Sequence, residues 1–307
     1  MARRRHSIVS GILAAVSIAF ARVMSVLPLP VCRVIGKRLG VLAYVLVPRV
    51  RRVAMDNLRQ AYRGEKSERE LRSIARGAAI NVGIVAAEFS HIPRLDAAGI
   101  ERLVRVVGVE HLDSSRGGFI IGAHLGNWEW MATVVNHLGF KAAEVVRPLD
   151  APSLNEFVDR VRCWHGVRTL PKEGSGQELM RLLKEGWKVG VLADQSPRES
   201  AVPVTFFGRP CWATVAPAMV ALRMKMPIHV VTMTRDGSGL YTLEFSPPIE
   251  LPRTGNLRRD LISITQRCQD LIEEKVRLFP DQWLWLHRRW KARPRLDEEW
   301  KAREARD

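Results

Sequence analysis

From about residue 103 onward, short apolar, β-branched runs alternate with longer amphipathic stretches. "RLVRVVG", "GGFIIGA", "KAAEVVRP", "WKVGVLAD" and "PIHVVTMTR" have the length and composition of buried strands, and "LYTLEFSPPIEL" adds one that ends at a proline pair. Helix-length segments separate most of them, at about residues 128 to 138, 152 to 164, 175 to 185 and 212 to 225, and 257 to 279 closes the series. Apolar strands alternating with helices predict an α/β fold with a largely parallel or mixed central sheet covered by helices.

Upstream the pattern is helical. "SERELRSIARGAAINVGIVAAEFSHI" opens with Ser67 and, three positions on, Glu70, the pattern of a capping box, and its charges thin out toward Phe89, so its second half is predicted to be buried. "RVRRVAMDNLRQAY" places Val50, Val53, Ala54, Leu58 and Ala61 near one face of a basic helix, which suits either a membrane surface or packing on the body. Before it, Ser7 to Ala21 carry no charge, a run shorter than the roughly 20 apolar residues of a simple span, although a helix continuing past Arg22 would reach further. "AFA" imitates a signal-peptide cleavage site, but Arg22, Arg33, Lys37, Arg38, Arg49, Arg51 and Arg52 follow it and oppose export. The expected organisation is an N-terminal helical membrane-associating segment over residues 1–63, with an anchor and basic interfacial helices, an α/β body over 64–295, and a charged tail over 296–307.

Composition sharpens this picture in two ways. A formal charge of +16 calls for a polyanionic partner, such as nucleic acid, a phosphate-rich membrane surface or an acidic carrier protein. Cys32, Cys163, Cys211 and Cys268 stand singly, which suggests neither a zinc site nor a disulfide framework. A nucleic-acid-binding protein is the competing class, because "WLWLHRRW" interleaves Trp283, Trp285 and Trp290 with Arg288 and Arg289, but no helix-turn-helix, RRM or zinc pattern accompanies it. The same block suits a membrane interface or simple packing against the body.

Two histidines precede an acid by five positions, His91 in "HIPRLD" and His124 in "HLGNWE". The first follows a long helix and contains Pro93, and is expected to be a cap and turn. The second follows the strand "GGFIIGA" directly, where α/β proteins collect functional groups. On one helix, positions five apart diverge by about 140°. For His124 and Glu129 to converge, the histidine must lie in the strand-to-helix turn, with Gly126 allowing the bend and Glu129 in the first helical turn. Glu129 would then hold one imidazole nitrogen and leave the other as a general base; the alternative is a buried histidine satisfied by a structural carboxylate.

In order along the chain, "RVRRVAMDNLRQAY", "GAHLGNWEWM", "VVRPLDAPSLNEFVDRVR", "VGVLADQS", "VPVTFFGRP" and "DQWLWLHRRWKARP" resemble the bacterial lipid A biosynthesis (late) acyltransferases of the lysophospholipid acyltransferase superfamily. The resemblance runs over roughly residues 45 to 293. It implies transfer of a fatty acyl chain from a thioester, acyl carrier protein in the usual case, to a hydroxyl of a lipid A precursor or similar phosphoglycolipid at the cytoplasmic face of the inner membrane, with no cofactor, no metal and no nucleic acid. By motif His124 is the base and Glu129 its orienting carboxylate. Asn127 is expected to position the donor or the oxyanion, or to cap a helix. Arg147 is expected to meet acceptor phosphate or the donor's phosphopantetheine arm, Asp194 and Gln195 to face the same crevice from another strand end, and Arg209 to join them. The resemblance extends to phosphatidylinositol mannoside acyltransferases that use acyl-CoA, so donor and acceptor remain alternatives here.

Overall fold

The computed structural model describes the backbone of residues 2–304 and the side chains of residues 10–301. Four helices lead: α1 (Ala2–Val26), α2 (Leu29–Leu46), α3 (Pro48–Tyr62) and α4 (Glu68–Phe89). Proline stands in the first turn of both α2 and α3, where its missing N–H costs nothing. Ser67 and Glu70 form the expected capping box at the start of α4. α2 lies directly on α4, and a Cβ at Gly36 would come within 2.5 Å of Gly83 O, so only glycine permits that approach. Arg3 to Arg5 lie outside the residues whose side chains are described.

The expected α/β body is present. A short helix, α5 (Ala97–Leu103), leads into β1 (Val104–Val107) and β2 (Gly118–Gly122). Then come α6 (Met131–His137), β3 (Ala142–Val146), α7 (Pro152–Arg162), β4 (Arg168–Pro171), α8 (Gly176–Lys184) and β5 (Lys188–Leu192). β6 (Ala201–Phe206), β7 (Arg209–Thr214), α9 (Ala216–Met224), β8 (Ile228–Arg235), β9 (Tyr241–Phe245), α10 (Leu257–Leu278) and α11 (Pro294–Glu304) complete the chain. The central sheet runs β1-β9-β8-β2-β5-β3-β4 and is parallel except at the β8–β9 pair. Phe119 and Ile121 pack toward α8, α9 and α10, whereas Ile120 packs toward α6. Alternate residues of one buried strand thus feed two core layers.

Three strands depart from the pattern-based expectation. β4 is short and polar, and β6 and β7 form a separate antiparallel hairpin. Pro203 and Pro210 inside that hairpin hide its strand character, and Phe207 and Gly208 both take positive φ, as a tight hairpin turn requires. The helix expected from residue 212 therefore begins only at Ala216. "WLWLHRRW" is neither a helix nor a membrane-facing aromatic belt: Trp283 and Trp285 are fully buried, and buried Arg289 donates to Trp212 O and Gln269 Oε1. Among the described residues no helix is long and apolar enough to cross a membrane.

Candidate active site

β2 and β5 lie side by side and parallel, with Gly122 opposite Leu192. His124 and Asp194 each stand two residues beyond these partners, so the pairing register alone brings them together. Asp194 Oδ1 lies 2.8 Å from His124 Nδ1, and its Oδ2 accepts the His124 backbone N–H at 2.9 Å and the Trp283 indole N–H at 2.8 Å. This corrects the expected pairing. The carboxylate on His124 is Asp194, not Glu129, and Trp283, the only indole bonded to it among the described residues, comes from the aromatic block near the C-terminus.

The electrostatics follow from that contact. Burial alone drives His124 toward its neutral form, but the charge and hydrogen bond of Asp194, helped by the Glu129 charge, hold the imidazole above its ordinary value against the opposing Arg162. Burial likewise opposes ionisation of Asp194, yet its contacts with His124 and Trp283 keep the carboxyl below the usual carboxylate range. With Nδ1 occupied, Nε2 is the nitrogen left for chemistry, 3.4 Å from Gln195 Nε2.

The turn carrying His124 is pinned by backbone. Gly126 has φ +60°, and a Cβ there would overlap Met233 O. Its N–H donates to Gln282 O at 3.1 Å, its carbonyl accepts from Asn81 Nδ2 at 2.9 Å, and Leu284 N–H donates to His124 O at 3.0 Å. The bend expected at Gly126 is therefore present. Glu129, however, precedes the first turn of α6, which starts at Met131. It receives two hydrogen bonds from Arg162, at 2.8 and 2.9 Å, and one from the Trp128 indole at 3.2 Å. Arg162 Nε also lies 3.5 Å from Glu144 Oε1. Burial pushes the Glu144 carboxyl up to about 7, against the nearby Arg162 charge. Arg162, desolvated but flanked by two acids, is held above the ordinary arginine range.

His124, Glu129, Arg162 and Gln195 open on one cavity of about 1300 Å³, at the upper end of small-molecule sites and beyond. Ile120, Met131, Val135 and Leu192 give it an apolar wall, and exposed Arg49, Arg147, Arg198, Arg288 and Lys291 line its open side. Arg147 directly follows the end of β3 and is among these lining residues. Asn127 does not reach the cavity. It is fully buried, accepts the Trp130 N–H at 3.2 Å as a cap does, and donates to Glu88 at 2.7 Å. Arg209 is also elsewhere, in the hairpin, with its guanidinium over the Trp290 ring at 5.8 Å. Asn127 is occupied by the turn before α6 and by Glu88, and Arg209 by its stack on Trp290 in the hairpin. Arg162 and Glu144 escaped sequence reasoning, since a guanidinium at a helix end and an acid within a strand carry no local signature.

A family model described as bacterial lipid A biosynthesis acyltransferase matches residues 3–292. The lipid A biosynthesis lauroyltransferase of Escherichia coli (strain K12) is 27% identical over 286 residues, covering 87% of this chain and 88% of that protein. A lipid A biosynthesis acyltransferase of Haemophilus influenzae is 25% identical, with 90% and 89% covered. A phosphatidylinositol mannoside acyltransferase of Mycobacterium tuberculosis is 26% identical, with 67% and 66% covered.

Proposed function

The chain belongs to the bacterial lipid A biosynthesis acyltransferase family and is an acyltransferase, and on that footing we propose that it moves a fatty acyl chain from a thioester to a hydroxyl of a lipid A-like phosphoglycolipid, with His124 as general base. The observation that carries this is the His124–Asp194 pair at the wall of a large, partly apolar cavity with a basic rim.

The acceptor hydroxyl gives its proton to His124 Nε2 as its oxygen attacks the thioester carbonyl. Asp194 fixes the tautomer through Nδ1 and stabilises the imidazolium that forms. Collapse of the tetrahedral intermediate expels the thiolate, which takes the proton back from Nε2. Arg162, immobilised by Glu129, supplies fixed positive charge beside the carbonyl oxygen as it becomes an oxyanion. Glu129 thus serves by holding that arginine, and Gln195 lies against the reacting nitrogen.

Arg147 and the other rim cations suit phosphate on the acceptor or on a phosphopantetheine arm. The outer surfaces of α1 and α2 expose Ile12, Leu13, Val16, Val31, Val34, Leu42 and Leu46, ending at Val47, which lines the cavity. An apolar surface of this kind leading to a basic opening suits the cytoplasmic face of an anionic inner membrane, from which a lipid acceptor would enter.

The test is mass spectrometry of glycolipids after incubating membranes containing the protein with acyl carrier protein and CoA thioesters. A lipid A precursor and a phosphatidylinositol mannoside serve as separate acceptors. Acylation of the lipid A precursor, lost in His124→Ala, is the expected result. Near-normal transfer by folded His124→Ala would remove the general base, and turnover of the mannoside alone would move the acceptor to the other branch.

A further inference from the structure

Glu88, near the end of α4, is wholly buried and not in contact with the cavity. Its carboxylate is shared by three parts of the chain. Oε1 accepts from Arg33 Nε of α2 at 2.5 Å, and Oε2 accepts from Asn127 Nδ2 at 2.7 Å and from the Tyr241 hydroxyl of β9 at 2.5 Å. The Glu88 backbone carbonyl also accepts the Trp130 indole N–H at 3.1 Å. Burial and then the Glu88 charge hold the Tyr241 phenol well above its ordinary value, so it remains a donor.

These contacts bracket the short segment between the reacting histidine and the helix after it. Asn127 and Trp130 lie on either side of Glu129, and both are tied to the one residue Glu88. Packing alone would not need a charge here, because apolar side chains fill such a junction at lower desolvation cost. A buried carboxylate with directional donors fixes geometry instead. Arg33 extends the chain of contacts to α2. Its neighbours Val31 and Val34 face outward, while its guanidinium turns inward to Glu88 and over the Tyr241 ring at 5.6 Å.

We propose that Glu88 is a positioning residue for acyl transfer: through Asn127 and Trp130 it sets the segment that carries His124 and Glu129, and through Arg33 it ties that setting to α2. This rests on the acyltransfer reading above. Glu88 touches no substrate, so its loss acts on the placement of other groups, where errors near 1 Å cost up to about 100-fold in rate.

The experiment compares the full-length wild type with Glu88→Gln and Arg33→Gln, reconstituted in phospholipid vesicles containing phosphatidylglycerol, with Arg69→Gln as a control that removes an exposed charge from α4. Turnover, thioester KM, the pH profile of kcat/KM and thermal unfolding are measured together. Expected for both variants is a roughly 10- to 100-fold lower kcat per folded molecule, an unchanged KM, and a displaced pH midpoint, with Arg69→Gln like wild type. If Glu88→Gln does not fold, Asn127→Ser, which draws the side chain away from Glu88 while keeping an acceptor for the Trp130 N–H, decides in its place. Wild-type kcat and pH profile in the folded variants, or a loss no larger than the unfolded fraction, would overturn the proposal. Inactive wild type with every thioester and phosphoglycolipid would instead sink the acyltransfer reading.

Discussion

His91 and His124 both lie in or near the protein interior, both stand five residues before an acid, and they titrate in opposite directions. His91 sits at the junction of α1, α2 and α4 with Nε2 3.2 Å from the Cys32 sulfur, and its acid, Asp96, caps α5 by accepting the Gly99 N–H at 2.7 Å. Burial lowers its pKa and the few charges nearby do not restore it. His124 is also desolvated, yet Asp194 holds it above its ordinary value, and it lines a cavity. In neither pair is the acid five residues on the partner of the histidine. What separates the two imidazoles is a carboxylate from a neighbouring strand and an open space on the other nitrogen of His124, not the spacing.

The largest effect that would break this contrast is expected at the pair itself. Asp194→Asn should reduce kcat by roughly a thousandfold or more, because the amide can no longer stabilise the imidazolium or fix its tautomer. Steady-state kinetics on folded protein check it, and a loss below tenfold would demote Asp194. His91→Ala should instead lower the melting temperature while leaving kcat of the folded enzyme within about threefold, because His91 does not line the cavity and its substitution leaves the Glu88 side-chain bonds in place. A thousandfold loss there would erase the distinction between the two histidines.

Next in size is the turn. Gly126→Ala meets both a positive φ and the Met233 carbonyl, and should destabilise the protein by about 2–4 kcal/mol. Denaturant titration checks this, and a change under 1 kcal/mol would mean that the turn relaxes more freely than its backbone bonds indicate.

Much of the fold was legible because the sheet is buried on both faces, so "GGFIIGA" and "PIHVVTMTR" announce themselves as apolar runs. The β6–β7 hairpin was not, since its prolines break the strand signal. At the site, His124, Gly126 and Arg147 were legible from their place after strands. Asp194 was singled out, but its contact with His124 was not, because it depends on which strands are neighbours and in what register. Glu129 and Arg162, 33 positions apart, meet only once α7 has folded across the sheet end. Sequence spacing records proximity along one element, whereas a site built from several strand ends is fixed by topology.

The pH dependence separates the two histidines further. As a base, His124 must be neutral, so kcat/KM should rise with pH through a midpoint above the roughly 6.5 of free imidazole. Its folded pKa is raised, so its contribution to stability is complete below the unfolded value and is lost as pH rises through the folded one. Activity and this part of stability therefore run in opposite directions. Asp194, depressed, contributes above its unfolded value and loses that contribution as the pH falls through the folded one. A pH–rate midpoint below that of free imidazole would contradict the Asp194 assignment.

The smallest expected effect concerns Glu144, which shares the desolvation of His91 and the charged neighbours of His124. Its carboxyl is raised to about 7, with burial the first cause and Arg162 only partly opposing it. A raised carboxyl favours folding below its unfolded pKa and loses that contribution as pH climbs toward and through 7. Glutamine cannot ionise, so Glu144→Gln should match wild type near pH 4 and become relatively more stable toward pH 8, by on the order of 1–2 kcal/mol. Chemical denaturation at the two pH values measures the difference. If the two proteins differ equally at both, Arg162 already compensates the Glu144 charge in full, and Glu144 belongs with the paired groups of the His124 site rather than with the uncompensated burial seen at His91.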